Sequence, residues 1–230
     1  TIKAARQATK MAMDRAKISR ADMVIVFASI SHSPSYSLLL KTVEEITGTS
    51  TLIGSSALGI LTTDAEIEEG PGIAVMVIHS DRISAVPFLG RGLKGRNLEV
   101  GQEIGQIIKS AIDPSSLLII LPDTFSFEPE AFFQGMQEAV DYIPIVGGGS
   151  SQNGTQRQTY QMCGRQAESH AVAGMLLSGD FRHTIAFSQA CQPVGNPMVV
   201  TKARGNIIFE LGSSPAHTAF CDLFQEPVDF

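Results

Sequence analysis

Three groups of residues in this chain have the types and spacing that binding or catalysis uses. The first is a pair of small-residue segments, Gly54-Ser55-Ser56 and Gly147-Gly148-Gly149-Ser150-Ser151, each following an apolar run. Glycine lets a backbone approach a ligand closely, and serine hydroxyls with exposed N–H groups hold carboxylate or phosphate oxygens. Ordinary turns use the same residues. Their occurrence at matching strand ends favours a ligand-lining role.

The second group, Gly90-Arg91-Gly92-Leu93-Lys94-Gly95, satisfies the GxGxxG pattern of a dinucleotide loop. Pro87 in the preceding strand suits a sheet edge rather than a central parallel strand. Asn97 is the better helix cap, which leaves the third glycine outside the helix. Asp123 lies farther on than the roughly 20 residues expected of a ribose-binding acid. A linker with a solvated basic face fits better. The third group is Cys191, ahead of Gln192-Pro193. A nucleophilic thiolate needs a neighbouring base or a helix N-terminus. His32, His79, His170, His183 and His217 are scattered, so a structural cysteine is the simpler reading.

The chain has no GxSxG elbow, no His pair at helical spacing and no Cys/His cluster. Glu66, Glu68 and Glu69 lack calcium-loop spacing. No catalytic residue, metal or cofactor is expected.

The elements that must position these residues follow from periodicity. Ile2, Ala5, Thr9, Ala12, Met13 and Ala16 predict a helix over 2–17, and residues 22–29 a buried strand. Ser33-Pro34 reads as a cap with proline at the first helical position; Leu39, Val43 and Ile46 form the stripe, and Gly48 ends it. Residues 51–55 read as a short strand and Thr62–Gly72 as an acidic surface loop. Strands 73–79 and 82–88 are expected to pair as an antiparallel hairpin. A helix carrying Leu98, Ile104, Ile107, Ile108 and Ala111 follows, then strand 116–121. Pro129 opens a helix with Phe132, Phe133, Met136 and Val140. Strands are expected at 143–147, 158–163, 170–178 and 181–188.

The order occurs twice. Met23-Val24-Ile25-Val26-Phe27 matches Leu117-Leu118-Ile119-Ile120-Leu121, and Leu52-Ile53-Gly54 matches Ile145-Val146-Gly147. The run 73–78 before Ser80-Asp81 matches 171–177 before Gly179-Asp180. The expected fold is therefore α/β: two pseudo-repeats with mixed β-sheets, stacked and flanked by helices in an αββα-like sandwich. The repeats would occupy 1–90 and 97–188, with a further region at 189–230.

Composition sets outer bounds. The 230 residues are 43% hydrophobic and 17% charged, an ordinary globular balance. A net charge of −6 argues against nucleic-acid binding. No apolar run approaches the ~18 residues of a membrane span, so no membrane insertion is expected. Cys163, Cys191 and Cys221, odd in number and widely spaced, fit reduced thiols and a cytoplasmic location. The start at Thr1, directly in a helical pattern, reads as a fragment or a trimmed chain.

The run from Gln189-Ala190-Cys191-Gln192-Pro193-Val194-Gly195 through Val200-Thr201-Lys202-Ala203-Arg204-Gly205-Asn206 to Glu210-Leu211 and Pro215-Ala216 resembles the FIST (F-box and intracellular signal transduction) family. The small-residue strand ends and the Gly179-Asp180 turn also sit where that family has similar residues. Ala190 and Gln192 depart from its usual glycine and arginine. Ser55 stands where cysteine is frequent, and Ile60 where an acid is common.

The resemblance implies a small-ligand-sensing module of a cytoplasmic signalling protein that continues beyond Phe230. An amino acid or related metabolite is the implied ligand, and an output domain or partner protein the next element. The expected pocket is lined by Gly54, Ser55, Ser56, Gly148, Gly149, Ser150 and Ser151, with Cys191, Thr201 and Lys202. There a carboxylate would meet backbone N–H groups and Lys202. A solvated strand lysine is the alternative for Lys202. The alternatives for the whole are a protein-interaction platform, as in F-box proteins, and a cysteine-based or nucleotide-dependent enzyme.

Overall fold

A computed structural model describes residues 1–68, 70–152, 158–187, 193–205 and 207–224. They form two compact units, Thr1–Ile185 and Ala186–Phe230.

The first unit begins with helix α1 (Ile2–Ala16), strand β1 (Met23–Ser29), helix α2 (Tyr36–Thr47) and strand β2 (Leu52–Ala57). A short antiparallel pair follows, β3 (Ile60–Leu61) and β4 (Glu66–Ile67), the second of them inside the stretch expected to be loop. Strands β5 (Ile73–Ile78) and β6 (Ile83–Arg91) come next. The order then starts again with α3 (Asn97–Ile108), β7 (Leu117–Pro122), α4 (Pro129–Ala139) and β8 (Ile145–Gly147). Strands β9 (Gln161–Cys163), β10 (Gln166–Glu168) and β11 (Ala171–Gly179) complete the unit.

Helix α1 buries Ala5, Thr9 and Met13, one per turn, and Gly48 ends α2 at φ 73°. The start of α2 differs from the Ser33-Pro34 reading. Ile30–Ser35 form a 3-10 turn, and the α-helix begins at Tyr36. The Tyr36 hydroxyl donates to the Ala28 and Ser29 carbonyls, at 3.1 and 3.0 Å, and so anchors the helix over the end of β1. Asn97 is likewise not a cap but the first residue of α3. Its Nδ2 donates to the Leu93 and Ser126 carbonyls, and its Oδ1 accepts the Glu128 N–H.

Two mixed sheets result, with strand orders β10-β9-β2-β1-β5 and β6-β11-β7-β8. Their centres share one pairing pattern. β1 runs parallel to β2 with Val24 opposite Leu52, and β7 parallel to β8 with Leu118 opposite Ile145. β1 runs antiparallel to β5 with Met23 opposite Ile78, and β7 antiparallel to β11 with Leu117 opposite Leu177.

The hairpin expected from 73–79 and 82–88 does not form. β5 pairs with β1 in one sheet, whereas β6 pairs with β11 in the other. The link 79–82 crosses between the sheets; four extended residues reach about 13 Å, enough for the roughly 10 Å between stacked sheets. The crossing gives each strand an apolar layer to enter, which a local hairpin would deny to β6. Strand β9 makes the opposite exchange, pairing with β2. Residues 181–187, expected as strand, have no regular structure. Pro87 does lie on an edge strand, where its missing N–H removes no ladder bond.

The core has three layers. Val24, Val26, Leu39, Leu40 and Val43 pack between sheet one and helices α1 and α2. Met23, Ile25, Ile53, Leu121 and Met175 lie between the sheets. Leu118, Ile120, Val100, Ile104 and Phe132 pack between sheet two and helices α3 and α4. Alternate residues of β1 and β7 thus enter different layers, which is why both strands read as unbroken apolar runs. The architecture is a four-layer αββα sandwich.

The second unit contains β12 (Val200–Arg204), β13 (Ile207–Leu211) and β14 (Ser214–Pro215) in one antiparallel sheet, followed by α5 (Ala216–Phe224). Among the described residues no helix is long and apolar enough to cross a membrane.

Candidate functional site

The polar end of the sandwich is built where β1, β2, β7 and β8 finish. Gly54 and Gly147 occupy matching places and make the same close approach. A Cβ on Gly54 would lie 2.2 Å from the Val26 carbonyl oxygen, and one on Gly147 1.9 Å from that of Ile120. Past these glycines the two small-residue segments meet. The Ser56 carbonyl accepts the Ser151 N–H at 3.3 Å, and Ser151 Oγ accepts the Leu58 N–H at 2.9 Å.

Behind this junction lies a buried polar network. Ser150 Oγ donates to the Pro122 carbonyl at 2.8 Å and accepts from Gln161 Nε2 at 2.6 Å. Thr159 Oγ1 donates to Asp123 Oδ1 at 2.6 Å, and Ser126 Oγ to Asp123 Oδ2 at 2.5 Å. His170, at φ 51°, places Nδ1 3.2 Å from Asp123 Oδ2. Asp123 is 1% exposed and Gln161 fully buried, so the network ties the ends of β7 and β8 to the chain entering β9. A buried carboxylate held by several donors is stable only while all of them stay in place. Sequence reading missed this cluster of Asp123, Thr159 and Gln161, because Asp123 lies 36 residues before Thr159 and the three follow no motif.

Beside the junction a cavity of about 450 Å³ opens between β7, β8 and the start of α4. Phe127, Pro129, Phe133, Ile120 and Ile145 form its apolar walls, and Thr124 with Gly147–Gly149 its polar rim. Gly148 has open space around its Cβ position. The Thr124 hydroxyl bonds the Ser150 carbonyl, which joins the rim directly to the network. The matching place in the first half is filled. There Tyr36 is 2% exposed, packs edge-on against Tyr160 at 5.5 Å, and lies in one apolar layer with Met162. Burial holds the Tyr36 phenol well above its usual pKa.

The expected site residues therefore separate. Gly148 and Gly149 line the cavity, and Ser151 joins the two segments. Gly54, Ser55, Ser56 and Ser150 are buried, with the Ser56 and Ser150 hydroxyls engaged internally. Thr201 and Lys202 belong to the second unit, where Lys202 lies 3.8 Å from Glu210. Cys191 lies outside the described residues. Cys163, beside β2, has its thiol pKa pushed up by burial, which opposes reactivity. Gly90 sits inside β6, where a Cβ would strike Val100 and Ile104, so the GxGxxG segment is strand and turn rather than a phosphate loop.

An αββα sandwich with a cavity at the carboxyl ends of its parallel strands is a ligand-site architecture of the α/β class. The FIST N domain model matches residues 22–214, and the chain belongs to that family. It is 28% identical over 196 residues to an uncharacterized protein of Mycobacterium tuberculosis, covering 84% of this chain and 49% of the relative. An uncharacterized protein of Mycobacterium bovis is 25% identical over 221 residues, covering 92% and 53%. One from the archaeon Methanocaldococcus jannaschii is 23% identical over 221 residues, covering 91% and 42%. The chain thus spans about half the length of the curated relatives it matches. The family implies, in general terms, a sensory role in signal transduction.

Proposed function

We propose that this chain is a small-ligand-binding sensory module, with its ligand seated in the cavity between β7, β8 and α4. The observation that carries the reading is the contrast between the halves: one place is filled by Tyr36 and Tyr160, and its counterpart is open. Apolar walls with a glycine and threonine rim favour a small molecule with an apolar body and one polar end, such as an amino acid or a related metabolite. The rim contacts the Asp123 network through Thr124, so occupancy would bear on the junction of the two small-residue segments.

The test is a thermal-shift screen of amino acids and small carboxylates. At a hundredfold excess over its Kd, a ligand of the folded state adds about 2.7 kcal/mol. A leucine at position 148 starts in open space on the rim; Gly148→Leu is expected to abolish the shift while leaving the unliganded melting temperature in place. A shift that survives Gly148→Leu places the ligand elsewhere.

A second reading, a protein-interaction platform, has its own support. Tyr142 is 85% exposed beside a smaller hollow of about 350 Å³ that shares Phe133 and Ile145 with the cavity. Exposed aromatic anchors of this kind serve as interface hot spots. Stabilisation by a partner protein, lost in Tyr142→Ala and absent with every small molecule, selects that reading.

A further inference from the structure

We propose that the open outer edge of β5 takes residues 182–185 as an added antiparallel strand, a strap that closes sheet one. β5 pairs with β1 and, among the described residues, with no other strand. An unpaired edge is a template for another strand. A groove of about 860 Å³ runs beside this edge, lined by Ala12, Ile25, Phe27, Ile60, Val75 and Val77. The matching edge in sheet two, that of β11, is occupied along its whole length by β6.

The occupant follows from the relation between the halves. β6 is the segment that leaves β5, and residues 182–185 belong to the segment that leaves β11. Their sequences correspond from Asp81 and Asp180 onward: Ser84-Ala85-Val86 of β6 matches His183-Thr184-Ile185. The two exits are built alike. Asp22 Oδ2 accepts the Ser80 N–H at 2.8 Å, and Asp113 Oδ2 accepts the Gly179 N–H at 2.7 Å. The exits also touch, since the Asp180 N–H donates to the Arg82 carbonyl at 3.0 Å and the two side chains form an ion pair.

The β6–β11 register then fixes the pairing of the strap. Leu176 stands opposite Val86, Leu177 opposite Ala85, and Ser178 opposite Ser84. Transferred to sheet one, these become Val77 opposite Ile185, Ile78 opposite Thr184, and His79 opposite His183. Ile185 is 47% exposed and Thr184 is exposed, so both are free to move onto the edge. The strap is also the segment by which the chain leaves the first unit. Its docked and free states give the module a two-state element of the order–disorder kind.

Peptide-level hydrogen exchange on the dilute full chain tests this. In wild type the outward-facing amides of Val77 and His79, which this register sets against the strap, are expected to be protected. Ile185→Pro, which removes the donor facing the Val77 carbonyl at an exposed site, is expected to speed their exchange about tenfold and leave β1, β2 and β11 unchanged. Equal exchange in both proteins overturns the proposal. So does protection that rises with protein concentration, which assigns the edge to a second copy. A second measurement replaces Cys163, Cys191 and Cys221 with serine and introduces Val77→Cys with Ile185→Cys. An intramolecular disulfide supports the register; its absence, or an intermolecular one alone, refutes it.

Discussion

The two halves of the first unit share a strand order and a register yet differ in what they leave open. At the carboxyl ends of the parallel strands, the first half is closed by Tyr36, Tyr160 and β9, and the second opens a cavity. At the antiparallel edge the relation reverses: β11 is covered by β6, and β5 has no second strand partner among the described residues. One chain pattern therefore serves two ends. Where an aromatic or a strand fills a place it contributes stability; where its counterpart is missing, a surface remains for binding.

The sharpest way to break the comparison is to empty the filled place. Tyr36→Ala removes a fully packed ring and strips the Ala28 and Ser29 carbonyls of their donor. It is expected to cost about 3–5 kcal/mol, read from urea denaturation. A loss below about 1 kcal/mol would mean that Tyr36 is not what closes the first half.

The shared glycine geometry gives a medium-sized test. Gly54→Ala and Gly147→Ala each drive a methyl into a neighbouring carbonyl, and each is expected to lose about 1–3 kcal/mol. If Gly147→Ala is neutral while Gly54→Ala is costly, the two close approaches are not equivalent and the cavity rim is the more pliable.

The smallest effect is pH-dependent and belongs to the first half. Burial holds the His32 pKa below its usual 6.5. The unfolded chain then takes up a proton before the folded one does. The contribution is fully present above pH 6.5 and is lost as pH falls through the lower, folded value. Equilibrium unfolding between pH 7.5 and 5 is expected to show this decline in wild type and a flatter profile in His32→Gln. Equal slopes would discard the burial account.

How much could be read in advance varies by element. The buried strands β1 and β7 were legible because both faces are covered, which leaves a dense run of Val, Ile and Leu. Helices α1 to α4 were legible from their apolar stripes. The partner of β6 was not. Sequence shows a short link between two apolar strands, and local hairpin pairing satisfies that as well as a crossing does. Only the presence of a second sheet, with an edge at β11, decides between them. The candidate site was half legible: Gly148 and Gly149 were named by type, but Ser55 and Ser150 look the same in sequence whether buried or facing a ligand. Asp123, Thr159 and Gln161 carry no local signal.

By itself the sequence determined the order of helices α1 to α4 and of the main strands, the α/β class, the FIST resemblance and the two small-residue segments, since propensity, periodicity and glycine chemistry act over a few residues. The tertiary structure alone decided which strands exchange sheets, which serines are spent on internal hydrogen bonds, and which of two matching places stays open. Those outcomes depend on contacts between residues far apart in the chain, where the packing of one half limits what the other can fill.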